Sequence, residues 1–222
     1  MNELLNRFLP QHYKERYTLE PKSFKDVPGW INDAEGIYPQ MVREAKDGYH
    51  FVEIGTLLGQ SATHMAQLIK DSGKDIKFDS IDLFWTIKHH IQVAKTEPLK
   101  TFKLYIDDIE KKWGIARIME IVQHPLRVLG LLDYVNFITC DEKYAHKLYN
   151  DDSLDFVWID GDHEKDIVYN DLINFWPKIK KGGTIGGDDI EYVKSDVIRF
   201  TEEYGLSVEF GYNSFLIKKD LI

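Results

Sequence analysis

The chain has 222 residues, of which 43% are hydrophobic, and it carries a formal net charge of −9. This length suits one α/β domain with additions, and the negative charge argues against a nucleic-acid partner, because phosphate binding relies on clustered Lys and Arg. No apolar run reaches the ~18–20 residues of a membrane span, and residues 1–7 lack the apolar stretch of a signal peptide. Cys140 is the single cysteine, so an internal disulfide is impossible and a reducing compartment fits. We therefore expect a cytoplasmic protein, and the lack of a long apolar run predicts no membrane partner.

Strand and helix patterns alternate along most of the chain. Residues 1–35 are rich in proline, aromatic and charged residues and predict an N-terminal arm or cap on a domain over 36–222. A short helix is predicted over 36–46. The predicted strands are Tyr49–Ile54, Ile76–Ile81, Tyr134–Thr139, Leu154–Ile159 and Gly183–Gly186. Helices are predicted after them at about 60–71, 141–149, 164–176 and 192–204.

This alternation predicts an α/β fold built from right-handed βαβ units. We therefore expect a Rossmann-like, doubly wound sheet that is mostly parallel, with helices on both faces. The C-terminus differs, because two strand-like runs at 206–210 and 214–218 are separated by Gly211-Tyr-Asn213, a hairpin signal. The sheet should therefore end in an antiparallel hairpin.

One connection is unusually long. About fifty residues separate Asp82 from Tyr134, where one helix and a turn would suffice. Residues 85–95 and 99–122 have helical patterns, with Pro98 and Pro125 as breaks. Connections of this length inside a compact domain are usually functional. We interpret residues 85–130 as a helical insertion that forms a lid, with an element of a homo-oligomer interface as the alternative.

The first strand ends in a glycine turn with the spacing E-x-G-x-x-x-G, followed by Ser61. Gly55 allows a sharp turn at the strand end, and Gly59 allows a ligand to approach the start of the next helix. The fingerprint G-x-G-x-x-G is absent, which disfavours a nicotinamide oxidoreductase. Glu53 suits a cationic ligand, although a plain turn with Glu53 as a helix-cap partner is the alternative.

Acidic residues also follow the next two strands. Asp82 ends the second strand, where an acidic residue commonly binds the ribose hydroxyls of an adenosine, although an Asp there is often a helix cap. Cys140 and Asp141 close the third strand, where an adenine edge would lie. The alternatives are an ordinary buried cysteine and a helix N-cap.

The last two parallel strands run straight into carboxylates. Asp160, Asp162 and His163 follow one strand, and Asp188 and Asp189 follow the next. Ligands bind beyond the carboxyl ends of parallel strands, so these residues should share one crevice. Oxygen ligands suit Mg²⁺, and the absence of a Cys/His cluster argues against zinc. The alternative is that these residues cap the helices that follow.

Taken together, these motifs resemble those of class I S-adenosylmethionine-dependent methyltransferases over roughly residues 36–218. The motifs are E-x-G-x-x-x-G at 53–59, Asp82, Cys140-Asp141, I-D-G-D-H at 159–163 and K-x-G-G-x-x-x-x-D-D at 180–189. The most similar branch is the small-molecule O-methyltransferases that carry D-G-D-H and use a divalent metal, such as those acting on macrolide and aminocoumarin sugars.

The resemblance implies a role for each site residue. The implied cofactor-binding residues are Glu53, Gly55, Gly59 and Ser61 at the methionine end, Asp82 at the ribose, Cys140 and Asp141 at the adenine, and Asp160. It also implies Mg²⁺ on Asp160, Asp188 and Asp189, with Asp162 as general base. His163 is the alternative base, because an imidazole has an ordinary pKa of about 6.5. The implied reaction is methyl transfer to a hydroxyl of a small polar acceptor. A non-catalytic nucleoside-binding or interaction protein on the same fold is the alternative.

Overall fold

The core of the protein is a seven-stranded sheet with the strand order β3-β2-β1-β4-β5-β7-β6. A computed structural model of the chain describes residues 20–27, 29, 31–84 and 116–220. The strands are β1 (Tyr49–Ile54), β2 (Ile76–Asp82), β3 (Asn136–Thr139), β4 (Leu154–Ile159), β5 (Ile179–Gly187), β6 (Glu209–Phe210) and β7 (Phe215–Lys218). Strands β1 to β5 pair in parallel, and β7 is antiparallel to β5 and β6. The predicted Rossmann-like sheet with a C-terminal antiparallel hairpin is confirmed.

Helices cover both faces of this sheet. They are α1 (Ala34–Glu44), α2 (Gln60–Ser72), α3 (Ala116–Leu129), α4 (Glu142–Ala145), α5 (Ile167–Phe175) and α6 (Ile190–Tyr204). Side chains alternate along β4, so Phe156 and Trp158 pack with α1 and α2 while Val157 and Ile159 pack with α5 and α6. Among the described helices, none combines the length and apolar character needed to cross a bilayer.

The crossover between β1 and β4 positions the site. The chain leaves β1 towards β2 and β3, then returns to place β4 on the other side of β1. Beyond the strand ends, the backbone N–H of Asp160 donates to the carbonyl of Ile54 at 2.8 Å, and that of Gly55 donates to Ile81 at 2.8 Å. Such a reversal opens a crevice at the carboxyl ends of the strands, where ligands bind in sheets of this kind.

Several element boundaries differ from the sequence-based expectation. Strand β3 begins at Asn136 because Tyr134 lies in a 3₁₀ turn, and the helix after β3 is short, continuing as a 3₁₀ turn over 146–148. Helix α5 begins at Ile167, not at Glu164, because Asp166 has a left-handed backbone with φ of 67°. Strand β5 is longer than expected at both ends. Caps and turns of this kind are set by local backbone geometry that periodicity does not show.

The prediction that Pro125 breaks a helix is wrong. Pro125 lies inside α3, although proline removes one backbone hydrogen bond from a helix. Val122 and Leu126 on this helix are fully buried, so tertiary packing outweighs the local cost. Residues 85–115, the rest of the expected insertion, lie outside the described part of the chain, and the lid and the oligomer interface remain predictions.

The described end of the N-terminal segment packs on the domain. The ring of Phe24 lies 4.0 Å from the ring of His64 on α2, measured between centroids, and Val27 is buried. Helix α1 begins at Ala34, inside the region expected to be an arm. The division of the chain at residues 35 and 36 remains a prediction.

Gly55 is required where β1 meets the loop after β4. Its φ is +91°, and a Cβ there would overlap the carbonyl oxygen of Asp160. We expect Gly55→Ala to lower the free energy of unfolding by about 2–5 kcal/mol, from left-handed strain plus overpacking. Gly48→Ala is the control, since Gly48 has φ of +82° and a Cβ added there would meet no heavy atom within 4 Å. Urea denaturation measures both, and equal losses would show that the contact with Asp160 imposes no constraint.

Candidate active site

A cavity of about 880 Å³ opens at the carboxyl ends of β1, β2, β3 and β4. Its wall includes Gly55, Asp82, Cys140, Asp141 and Asp162, so the fold brings together residues predicted from four separate strand ends. Helices α4 and α5 also contribute to the wall. A volume in this range accommodates a small-molecule ligand or cofactor.

Glu53 lies beneath the glycine turn and is only 1% exposed. Its carboxylate accepts hydrogen bonds from the hydroxyls of Tyr38 at 2.9 Å and Ser80 at 2.6 Å, and from Ser61. Burial raises the pKa of Glu53, against the effect of these donors. Helix α2 has Gly59 at its N-cap, which has no side chain to cap the helix, and the Ser61 hydroxyl that Glu53 accepts lies in the first turn of this helix. Glu53 supports the turn from below, and its contact with a cofactor remains a prediction.

Gly59 also has a structural neighbour. Its φ is +89°, and a Cβ there would lie 3.0 Å from Cγ1 of Val122 on α3. The sequence suggests that a ligand approaches Gly59 closely. On this side of Gly59 the close neighbour is instead helix α3. Helix α3 packs directly on the start of α2.

Asp82 ties the glycine turn to the end of β2. One carboxylate oxygen accepts the N–H groups of Thr56 and Leu57, each at 2.9 Å, and the other accepts the N–H of Phe84 at 2.8 Å. Asp82 also lines the cavity. The observed contacts shape the turn, and binding to a ribose remains a prediction.

Cys140 and Asp141 both line the cavity at the end of β3. Asp141 is the N-cap of α4, where its carboxylate accepts the N–H of Lys143 at 3.0 Å. The cap considered from the sequence is therefore present. Cys140 is half-buried, and burial followed by the nearby Asp141 raises the pKa of its thiol. A low thiolate fraction at neutral pH makes Cys140 a wall residue and not a nucleophile.

A second group of predicted residues meets between the ends of β4 and β5. Asp160, His163 and Asp189 each offer one ligand atom, and these atoms all lie within 4.8 Å of one another. His163 Nδ1 is 3.2 Å from Asp189 Oδ2, and His163 Nε2 is 3.9 Å from Asp160 Oδ1. Asp189 occupies the N-cap position of α6 with φ of 55°, but its side chain makes no cap hydrogen bond. Its side chain serves this cluster and not the helix.

Asp188 is not part of this cluster and is held by two asparagines. The residue is 4% exposed. Its carboxylate accepts hydrogen bonds from Asn32 Nδ2 at 2.9 Å and from Asn213 Nδ2 at 3.1 Å. Asn213 also donates to Asp189 at 3.0 Å. Sequence reasoning missed both asparagines, because Asn32 is 156 residues from Asp188 and Asn213 was only part of a turn signal.

The carboxylates at these strand ends repel one another. Burial, followed by the charges of Asp188, Asp189 and Glu53, raises the pKa of Asp160 well above its usual value. Burial and the neighbouring Asp189 raise the pKa of Asp188 to about 6, against the hydrogen bond from Asn32. A bound cation relieves this kind of repulsion. Two carboxylates with one imidazole suit a divalent metal, and such a mixed set extends the choice beyond Mg²⁺ to ions such as Mn²⁺.

The two candidate bases face different neighbours. Asp162 lines the cavity, its carboxylate accepts the N–H of Glu164 at 2.9 Å, and its own N–H donates to Glu142 Oε2 at 3.1 Å. His163 instead contacts Asp160 and Asp189. The structure therefore places Asp162 with the cavity and His163 with the carboxylate cluster.

Comparison with known proteins decides the family. A family model described as "Methyltransferase domain" matches residues 52–190, which include the glycine turn, the cavity and the carboxylate cluster. The chain belongs to this methyltransferase family. A comparison with curated protein sequences finds no match for this methyltransferase domain.

Solved structures share the methyltransferase fold. The O-methyltransferase NovP has a TM-score of 0.60 at 19% identity, covering 85% of this chain and 80% of NovP. A SAM-dependent O-methyltransferase from Thermotoga maritima has a TM-score of 0.55 at 10% identity, covering 87% of this chain and 67% of the other. Precorrin 8w decarboxylase from Methanobacterium thermoautotrophicum has a TM-score of 0.56 at 14% identity, covering 92% and 96%. At these identities the likeness concerns the fold, and the neighbours' reactions differ.

Glu142 makes the stability of the methyltransferase domain depend on pH. Burial, followed by the charges of Asp162, Asp141 and Asp82, raises its pKa from 4.5 to about 7. Because the folded state holds this proton more tightly than the unfolded state, the free energy of unfolding should fall between pH 4.5 and pH 7, by about 1–3 kcal/mol, and then level off.

Glu142→Gln should remove that loss, since glutamine is neutral throughout. We expect the variant to be more stable than the wild type by about 1–3 kcal/mol at pH 8 and nearly equal to it near pH 4.5. Glu44→Gln, on an exposed position of α1, is the control. Urea denaturation at both pH values tests this, and a difference that does not change with pH would contradict it.

Proposed function

We propose that this protein transfers a methyl group from S-adenosylmethionine to a hydroxyl of a small polar acceptor, with the help of a divalent metal ion. One observation carries the proposal. In a chain of the methyltransferase family, the cavity at the ends of β1 to β4 lies beside a cluster with metal-ligand spacing at the ends of β4 and β5. Asp160 and Asp162 follow the same strand and join the two regions.

The cavity supports a nucleoside-containing cofactor. Gly55, Asp82 and the pair Cys140-Asp141 follow one another around its wall, in the order methionine end, ribose and adenine that the family resemblance implies. Glu53 beneath the turn supplies negative charge near the methionine end, which suits the positively charged amino group and sulfonium of S-adenosylmethionine.

Asp160 and Asp189 are the proposed metal ligands that the structure and the resemblance have in common. The third ligand is either Asp188, as the resemblance implies, or His163, whose ligand atom completes the cluster. A divalent ion held there would stabilise the alkoxide form of the acceptor and fix its orientation. Asn32 donates a hydrogen bond to Asp188, and Asn213 donates to both Asp188 and Asp189. These amide donors hold the carboxylates in place without adding charge.

Asp162 is the proposed general base. With S-adenosylmethionine bound, Asp162 would accept the proton of the acceptor hydroxyl. The cofactor would supply the methyl group to the hydroxyl oxygen, and the bond between that methyl carbon and sulfur would break to give S-adenosylhomocysteine, whose sulfur is uncharged. The role of the protein is to bring the oxygen and the methyl group into line and to accept the proton.

Calorimetry with the full chain tests the cofactor. S-Adenosylhomocysteine should bind with micromolar affinity, and Asp82→Ala should weaken binding by about 1–3 kcal/mol through lost hydrogen bonds to the charged group and a looser turn. Asp71→Ala, on an exposed position of α2, is the control. NAD is the competing ligand. Binding of NAD without binding of S-adenosylhomocysteine would overturn the proposal, and binding without any methyl transfer would favour a non-catalytic nucleoside-binding protein.

A further inference from the structure

The N-terminal segment is connected to the turn between β6 and β7 through Asp33. Aspartate is a preferred N-cap residue because its carboxylate can accept a helix N–H. Asp33 occupies the N-cap position of α1, but its side chain makes no cap hydrogen bond there. Its Oδ2 atom instead accepts the backbone N–H of Asn213 at 2.9 Å and the hydroxyl of Ser214 at 2.7 Å. The carboxylate therefore joins two parts of the chain that are 180 residues apart.

Asn213 continues this connection to the end of β5. Its Nδ2 atom donates to Asp188 Oδ1 at 3.1 Å and to Asp189 Oδ1 at 3.0 Å. An amide group has two N–H donors, so both are used. The carbonyl of Asn213 accepts the N–H of Ile190 at 3.1 Å. Because its backbone N–H is held by Asp33, Asn213 is fixed at its backbone on both sides and at its side chain.

This arrangement gives the two oxygens of Asp189 different neighbours. Oδ1 accepts the hydrogen bond from Asn213, whereas Oδ2 lies 3.2 Å from Nδ1 of His163. The terminal torsion of an aspartate side chain is broad, so a partner on one oxygen is needed to direct the other. Asn213 therefore turns Oδ2 of Asp189 towards the carboxylate cluster.

The described end of the N-terminal segment holds Asp33 from both sides. Before it, Phe24 packs on α2 and Val27 is buried. After it, Ala34 and Tyr38 on α1 are buried in the core. Neither Asp33 nor Asn213 is among the residues that line the cavity. This connection therefore reaches the carboxylate cluster without passing through the cofactor cavity.

We propose that Asp33 and Asn213 are positioning residues for Asp189, and that the N-terminal segment thereby sets the affinity of the carboxylate cluster for a divalent cation. This inference rests on the proposed function, since it concerns the same metal site. Asp33 acts through Asn213, and Asn213 acts through Oδ1 of Asp189. Hydrogen bonds that orient a metal ligand typically change metal affinity by roughly 10–100-fold.

Calorimetric titration of the full chain with Mn²⁺ tests the inference. Asn213→Ala removes the amide donors, and Asp33→Ala removes the acceptor that holds the backbone of residue 213. Each should weaken Mn²⁺ binding by at least about tenfold. Affinity for S-adenosylhomocysteine should stay at the wild-type level in both variants, because neither residue lines the cavity.

Asp33→Asn separates positioning from simple attraction between charges. The negative charge of Asp33 is close enough to contribute to the raised pKa of Asp188, so its loss alone could weaken cation binding. Asparagine removes that charge but keeps an oxygen that can accept the N–H of Asn213. Asp33→Asn should therefore retain most of the wild-type affinity for Mn²⁺.

Asp26→Ala is the matched control in the same segment. Asp26 is half-buried like Asp33, and its carboxylate also accepts two hydrogen bonds, from the N–H groups of Lys22 at 2.8 Å and Ser23 at 3.1 Å. It has no contact with the turn between β6 and β7. Asp26→Ala and Asp33→Ala should both lower Tm, but only Asp33→Ala should weaken Mn²⁺ binding.

Each further outcome overturns a stated part of the proposal. Wild-type Mn²⁺ affinity in folded Asp33→Ala and Asn213→Ala would overturn the inference and leave the proposed function intact. An equal loss in Asp33→Asn and Asp33→Ala would replace positioning by charge, and an equal loss in Asp26→Ala would replace it by general loosening. A wild type that binds S-adenosylhomocysteine but no Mn²⁺ would overturn the inference together with the metal in the proposed function.

Asn213→Ala decides the question if Asp33→Ala does not fold. It keeps the backbone N–H and the Ser214 hydroxyl that Asp33 accepts, so the connection between the two segments stays in place. Unchanged Mn²⁺ affinity in this variant would overturn the inference by itself.

Discussion

Asp189→Asn is expected to lower kcat by roughly 10³-fold while leaving the affinity for S-adenosylhomocysteine unchanged. Asp189 Oδ2 lies 3.2 Å from His163 Nδ1, in the group of ligand atoms that also contains Asp160. Asparagine keeps the size of the side chain and an oxygen for the bond from Asn213, but it removes the charge that favours a cation. Losing the charge stabilisation that a metal ion supplies costs several kcal/mol in the transition state, which corresponds to a change of about 10³-fold.

Metal binding gives a readout that is independent of activity. Titration with Mn²⁺ should show one site in the wild type, and Asp189→Asn should weaken it by at least about tenfold. EDTA should reduce the activity of the wild type to the level of the variant, and added metal should restore only the wild type. Asp155→Asn is the matched control, because Asp155 is a buried carboxylate at the start of β4, bonded to His50 N and Lys180.

The same titration identifies the third ligand. If His163 is a ligand, as its place in the cluster suggests, His163→Asn should weaken Mn²⁺ binding more than Asp188→Asn. If the family pattern holds, the order should be reversed. Full activity in EDTA, together with unchanged Mn²⁺ binding in Asp189→Asn, would remove the metal from the proposed mechanism.

Asp162→Asn is expected to lower kcat by on the order of 10²–10⁴-fold, the usual contribution of a general base. Affinity for the cofactor and for Mn²⁺ should change little. Asp162 faces the cavity, and its carboxylate needs only a hydrogen-bond acceptor to hold the turn at Glu164, a role that asparagine retains. The loss should therefore be one of proton transfer and not of structure.

The His163→Asn variant should lose activity for a different reason. Because His163 lies beside Asp160 and Asp189, its loss should act first on metal binding, and added metal should restore part of kcat. It should cost less than Asp162→Asn at saturating metal. A larger loss of kcat for His163→Asn, with Mn²⁺ affinity unchanged and Asp162→Asn nearly active, would make His163 the base.

Much of the fold follows from local features of the sequence. Apolar runs of strand length, interrupted by glycine turns and followed by helical patterns, are sufficient to predict a mostly parallel sheet with a terminal hairpin, and the structure confirms it. Pro125 shows where local rules end. Its effect on a helix depends on whether neighbours such as Val122 and Leu126 are buried, and burial is a property of the assembled fold.

The sequence by itself also determined which residues meet. Carboxyl ends of parallel strands lie at one edge of a sheet, so Gly55, Asp82, Cys140-Asp141 and Asp162 had to share a crevice. What it could not determine is the direction of each side chain. Asp162 and His163 are adjacent in the chain but face different regions, because successive residues of a loop after a strand point in different directions.

Only the tertiary structure decided the remaining contacts. Asn32 and Asn213 reach Asp188 from other elements, and His163, not Asp188, lies within 4.8 Å of the ligand atoms of Asp160 and Asp189. Asp171 lies in an ordinary helical pattern, and nothing near it in the chain shows that its Oδ2 atom is buried without a donor among the described residues. These are contacts between elements, and a hydrogen bond between elements depends on distances and angles that only packing sets.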